Sequence, residues 1–169
     1  MAYGSSVPAA RAALHALIDA RPGLDGITVL ARPPVTEAEL KSGSAVEVVH
    51  LGRWDTGISV DGRGTQAHMA AGRLVIDETY LLWVSVQAGG GTTATTETTA
   101  SERAWTLAYE IVGAVSVNPD LNLTLATPVV KCGATGEIAF DESVARHDTG
   151  GAVSRIAIGF TIDARIVAS

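Results

Sequence analysis

The closing segment, Ala152 to Val167, constrains the fold more than any other stretch of the chain. Ile156, Ile158, Phe160, Ile162 and Ile166 keep one parity while Arg155, Thr161, Asp163 and Arg165 keep the other. This is the pattern of a strand with one face on a core and the other facing water. Fully extended it would span about 54 Å at ~3.4 Å per residue, whereas a compact domain of this chain length is about 40 Å across. The strand must either turn back through a bulge, for which Gly159 offers a seat, or leave the domain and pair with a neighbouring molecule. The bulge is the expected solution, since bulges are common in long strands.

The rest of the chain supplies what such a strand can pair with and pack against. A helix is predicted from Pro8 to Ala20, capped by Ser5 or Ser6, with Ala10, Ala13, Leu14, Leu17 and Ile18 as its apolar stripe. Ile27 to Ala31 and Ala45 to Leu51 read as short strands. Between them, Thr36 and Glu39 are spaced as a capping box for at most two helical turns ending at Gly43. Arg53 to Gly72 is rich in glycine and poor in periodicity, so most of it is expected as an extended loop or loose hairpin. Leu74 to Ala88 is the central strand, with Leu74, Ile76, Tyr80, Leu82, Val84 and Val86 on one parity. Leu81 and Trp83 break the polarity of its outer face, so a second helix, another subunit or the loop above must cover them.

Gly89 to Thr99 is low in complexity and expected to be mobile in the free subunit. Thr99 with Glu102 forms a second capping box, opening a helix to Val117 whose stripe is Ala100, Ala104, Leu107, Ala108, Ile111, Val112 and Val115. Leu121 to Lys131 contains a strand broken near Pro128, Ile138 to Phe140 extends the pairing, and Glu142 to Gly151 forms a polar turn. The fold class that results is α+β: one domain over 1–169, a mixed, mainly antiparallel twisted sheet with two main helices on one face and a long C-terminal strand.

Composition removes several functions. The net charge is −6 and no basic run exists, which argues against sequence-independent binding to duplex DNA. No stretch reaches the roughly 18 to 20 apolar residues of a bilayer span, and no signal segment is recognisable. The single cysteine, Cys132, cannot form an internal disulfide and suits a reducing compartment such as the cytoplasm. Only 18% of residues are charged, against about 25% in ordinary domains, which fits burial against other subunits. The 27 alanines, and ten Arg against two Lys, equally fit the composition of a GC-rich genome.

Chemistry-bearing residues do not assemble into a recognisable centre. His15, His50, His68 and His147 lack metal-ligand spacing. The best polar trio is His50, Asp55 and His68 around the glycine-rich segment, a region where polar residues are common anyway. Cys132 with His147 would be a nucleophile and base only if the thiol were activated, and lone cysteines are more often buried small hydrophobes. Asp77 and Glu78 are adjacent in a strand and point to opposite faces. Gly89-Gly90-Gly91 matches no phosphate-loop pattern. No catalytic, cofactor or metal residues are assigned, and the chain is not expected to be an enzyme. Trp105, with Tyr109 four residues on, reads as helix-to-sheet packing, whereas Trp54 and Trp83 are equally core or interface anchors. The candidate interface residues are Trp54 and Trp83, with Arg53, Arg63, Arg73, Thr92, Thr95 and Glu97.

The opening "VPAARAALHALIDARPGLDGITVLARPP", the run "ETYLLWVSVQAGG" followed by "ASERAWTLAYEIVGAVSVNPDL", and the closing "SRIAIGFTIDARIVA" together resemble the tail terminator proteins of long-tailed phages, also called tail-to-head joining or tail completion proteins. Arg53 to Gly72 and Lys131 to Asp148 have no counterpart in that pattern. The resemblance implies a structural protein forming a hexameric ring on the last ring of the tail tube, halting its polymerisation and offering a surface to the head-tail connector protein. It implies residence in the virion neck after assembly in the host cytoplasm. DNA would pass through such a ring without sequence-specific binding, and no cofactor or membrane is implied. The alternatives are another ring protein of the neck or tail, such as a connector stopper or tube subunit, or a small hydrolase or ligand-binding domain using Cys132 and His147.

Overall fold

Two long strands form the spine. β4 (Arg73–Gly89) and β7 (Ala152–Val167) pair antiparallel in one continuous register from Val75 opposite Val167 to Gly89 opposite Val153. The computed structural model describes residues 5–34, 47–70, 72–89, 96–121, 123, 129–132, 138–146 and 151–167. Among these, five further strands flank the spine: β1 (Thr28–Leu30), β2 (Val48–Leu51), β3 (Val60–Ala70), β5 (Val129–Cys132) and β6 (Ala139–Arg146). β2 and β3 both pair with β4, β5 and β6 both pair with β7, and β1 joins β2 in the single parallel pairing found among the described residues. The result is a seven-stranded, mostly antiparallel open sheet.

The alternation read in β4 and β7 decides which face is core. Tyr80, Leu82, Val84 and Val86 stand opposite Ile162, Phe160, Ile158 and Ile156, and all eight are buried in one cluster with residues of both helices. The first helix, α1 (Val7–Asp19), contributes Ala10, Leu14 and Ile18. The second, α2 (Glu97–Val117), contributes Ala104, Leu107, Ala108, Ile111 and Val115. Each such Leu or Ile contributes roughly 1.5–3 kcal/mol relative to exposure, so the sheet and the helices are stable only together.

Several local expectations change. No bulge interrupts β7: its register with β4 is unbroken through Gly159, and the shift in this sheet falls instead between Gly62 and Gly64 of β3. The far end of β7 does not leave the domain, because β4 and β5 flank it there. The sheet itself is long enough. Arg53 to Gly72 supplies that length: it is mostly the eleven-residue strand β3, closed onto β4 where Ala70 pairs with Arg73 and Gly72 takes a φ of 75°, the backbone a tight hairpin turn demands. Glu142 to Arg146 is likewise strand rather than turn. Its polar residues reflect an edge position, since β6 pairs only with β7 among the described residues.

Both helix starts differ from the simple capping reading. Ser6 is the N-cap of α1, but its side chain does not cap the helix. Its hydroxyl donates to Glu78 Oε2 at 2.5 Å and lies 2.9 Å from Tyr80 Oη, tying α1 to β4. α2 begins one turn before the Thr99–Glu102 box: Thr96 is the cap, accepting from the Thr99 N–H at 3.2 Å. The short helix expected from Thr36 to Gly43 and most of the Gly89–Thr99 run lie outside the described residues.

Candidate functional site

The sheet face away from the helices is where the polar and aromatic side chains gather. After β2 the chain leaves the sheet at Gly52 and returns at Ser59, immediately before β3. Both ends are pinned to one residue: the Gly52 N–H donates to the Trp83 carbonyl at 2.6 Å, and the Trp83 N–H donates to the Ser59 carbonyl at 3.0 Å. Ser85, also on this face, donates from Oγ to the Gly52 carbonyl at 2.7 Å. The excursion 52–59 therefore spans the outer face opposite Trp83. This loop supplies the cover over Trp83, while Leu81 and Trp83 form a small buried cluster with Ala157, against which Ala139 of β6 packs.

Two stacked pairs result. The Arg53 guanidinium sits 4.7 Å from the Trp83 ring centroid, and the Arg155 guanidinium sits 4.4 Å from that of Trp54, distances at which a cation is attracted by an indole face. Below Trp54 lies His50, with ring centroids 4.9 Å apart. His50 is fully buried, its Nε2 has no hydrogen-bond partner among the described residues, and Nδ1 stands 3.4 Å from the Leu51 carbonyl. Burial lowers its pKa to about 4; the Leu51 carbonyl opposes this and the nearby charge of Arg155 adds to it. His50 is thus neutral at physiological pH.

Arg53 is also held by acids. It donates to Asp55 through Nε and Nη2, both at 2.9 Å, and to Asp141 on β6 through Nη2 at 2.7 Å. These bonds join the loop to the opposite edge of the sheet. Hydrogen bonding to Arg53 depresses the Asp55 pKa to about 2. A cavity of about 250 Å³ lies between loop and β6, lined by Arg53, Trp54, Asp55, Asp141, Ser143 and Arg155 among others.

Of the candidate interface residues, the structure brings Arg53, Trp54 and Trp83 together here. Arg73 stands exposed at the tip of the β3–β4 hairpin, and Glu97 is exposed at the start of α2. The side chain of Arg63, and Thr92 and Thr95 entirely, lie outside the described residues. The trio His50, Asp55 and His68 does not assemble: His68 registers with Val75, ten positions along β4 from Ser85, the partner of His50. There His68 Nδ1 stands 3.7 Å from Asp77, which also holds Arg165 at 2.7 Å.

Cys132 points into the core, where burial pushes its thiol up to about 12, opposite to what a nucleophile needs. His147 is outside the described residues. Trp105 packs between helix and sheet as its position predicted, partly buried against the core, with Nε1 donating to Glu142 at 2.9 Å.

Sequence reading alone did not single out Arg155, Gln87, Asp141 or Ser143. Arg155 and Gln87 face each other on the polar parity of β7 and β4, and that pairing becomes visible only with the register.

These features define an α+β domain with a covered aromatic-arginine cluster on its open sheet face. No protein-family model matches the chain, and no curated protein matches it in sequence.

Proposed function

We propose that the chain is a ring-forming virion subunit of the tail terminator type, capping a phage tail tube, ending its polymerisation and presenting the joining surface for the head-tail connector. The observation that carries this reading is the pair of open sheet edges. β3 is eleven residues long, exposed at Asp61 and Gly62 and from Gly64 to Ala70, and paired on one side only, with β4, among the described residues. β6 lies on the other side of the sheet, paired only with β7 and carrying exposed Phe140 and Val144.

A lone molecule gains nothing from a long unpaired edge, which invites uncontrolled association. Two different open edges on one subunit instead suit head-to-tail contacts, which close into rings when the rotation permits. The sequence resemblance supports a place for that ring in the virion neck, with six subunits and a lumen for DNA.

Electron microscopy and light scattering of the purified chain test the proposal. Discrete rings that shorten tail tubes when added are expected. A strict monomer at high concentration that leaves tubes unaffected refutes it, and long cylinders formed by the chain alone would identify a tube subunit instead.

A further inference from the structure

The cavity on the outer face has an uneven distribution of charge. Two arginines and two aspartates line it, yet both acids are engaged by Arg53. Arg155 has neither. Its Nε donates to Gln87 Oε1 at 3.0 Å, its guanidinium rests on Trp54, and no carboxylate among the described residues pairs with it. Burial lowers the Arg155 pKa, with no acid acting to raise it again. A partly desolvated guanidinium without a counter-charge carries a free-energy cost that an incoming anion removes.

The surroundings select the anion. The indole and Gln87 fix the plane and roll of the guanidinium, and its two Nη groups remain for an acceptor with two oxygens, the match that a carboxylate makes. Ser143, the register partner of Arg155 on β6, lines the same cavity. About 250 Å³ admits a carboxyl group on a short stem. Asp55 and Asp141 stand in the same wall, so a multiply charged phosphate is repelled more strongly than a single carboxylate.

We propose that Arg155 on its Trp54 platform is the receptor for one carboxylate group, supplied either by a small free acid or by an acidic side chain of a second copy of this chain. Only the second source rests on the ring reading.

The test is a titration of the full chain with sodium acetate, with sodium chloride at matched ionic strength as the control. The Arg155 Nε–H and Trp54 indole N–H resonances are followed by NMR, and sedimentation is measured in parallel. Saturable shifts with acetate and none with chloride are expected. Arg155→Gln removes the response and Arg155→Lys, which keeps the charge but loses the fork, weakens it at least tenfold. Acetate that also dissociates oligomers assigns the carboxylate to a second copy; acetate that binds without changing sedimentation assigns it to a free acid. Identical responses to acetate and chloride in the unmodified chain overturn the proposal, whether or not the variants fold. A chain that stays monomeric yet binds acetate refutes the ring and leaves this site standing.

Discussion

The Trp83 indole fills the space above Gly159, its cross-strand partner: a Cβ built on Gly159 would stand 2.9 Å from two of the ring carbons. The glycine that looked like the seat of a bulge is therefore the slot that lets an aromatic ring lie against the spine of the sheet, with Arg53 stacked on it.

Gly159→Ala should accordingly cost about 1–3 kcal/mol, the usual penalty for overpacking a well-filled site. A thermal melt should show the midpoint several degrees lower. Combining it with Trp83→Leu should recover part of the loss, because the smaller side chain vacates the space. Additive effects in that double-mutant cycle would show that the two residues do not compete for the same volume.

Acid should destabilise the fold through His50. In the folded chain His50 takes up its proton only near pH 4, while in the unfolded chain it does so near 6.5. Between these values the unfolded state binds more protons, so stability falls as the pH drops from 6.5 and levels off below about 4. The loss attributable to this group is on the order of 3 kcal/mol. Urea unfolding across this range, compared with His50→Leu, should show a steeper acid loss in the unmodified chain; equal slopes would contradict the assignment.

Cys132 should be inert in the folded state. Its thiol lies in the core with the pKa pushed up to about 12, so a disulfide reagent at pH 8 should label it only at the rate of unfolding. In denaturant one thiol per chain should react at once. Rapid labelling of the native chain would mean that β5 opens readily or that the thiol is activated.

Glu142 should act as a local clamp. It accepts from Ser101 Oγ at 2.6 Å, Trp105 Nε1 at 2.9 Å and Ser154 Oγ at 3.0 Å. Burial alone would raise its pKa, and these donors outweigh it and bring the pKa down. Glu142→Ala should cost about 1 kcal/mol, the net worth of a typical intramolecular hydrogen bond at an exposed site, and should move the Trp105 indole N–H resonance. An unmoved resonance would place the bond elsewhere.

The alternation of β4 and β7 and the stripes of α1 and α2 were legible because each is a local period that burial on one face imposes on neighbouring residues. Which residues of these elements face the core follows from that period without knowledge of the topology. The same local logic saw β3 only as an extended loop or loose hairpin, because its residues from Gly64 to Ala70 are exposed on both faces and carry no alternation, and it misread β6, whose polar edge looked like a turn. Arg155, Gln87 and Asp141 escaped notice because the site they share depends on cross-strand register and on where an irregular loop lands.

The sequence by itself determined the α+β class, the face of each main strand that meets the helices, and the burial of the Trp105 flank, since all of these follow from side-chain periodicity. Only the tertiary structure decided that Gly159 is a slot and not a kink, that the loop 52–59 covers Trp83, and that Arg53 takes both acids while Arg155 takes none. Those outcomes rest on contacts between residues far apart in the chain, and no local pattern encodes a distance between them.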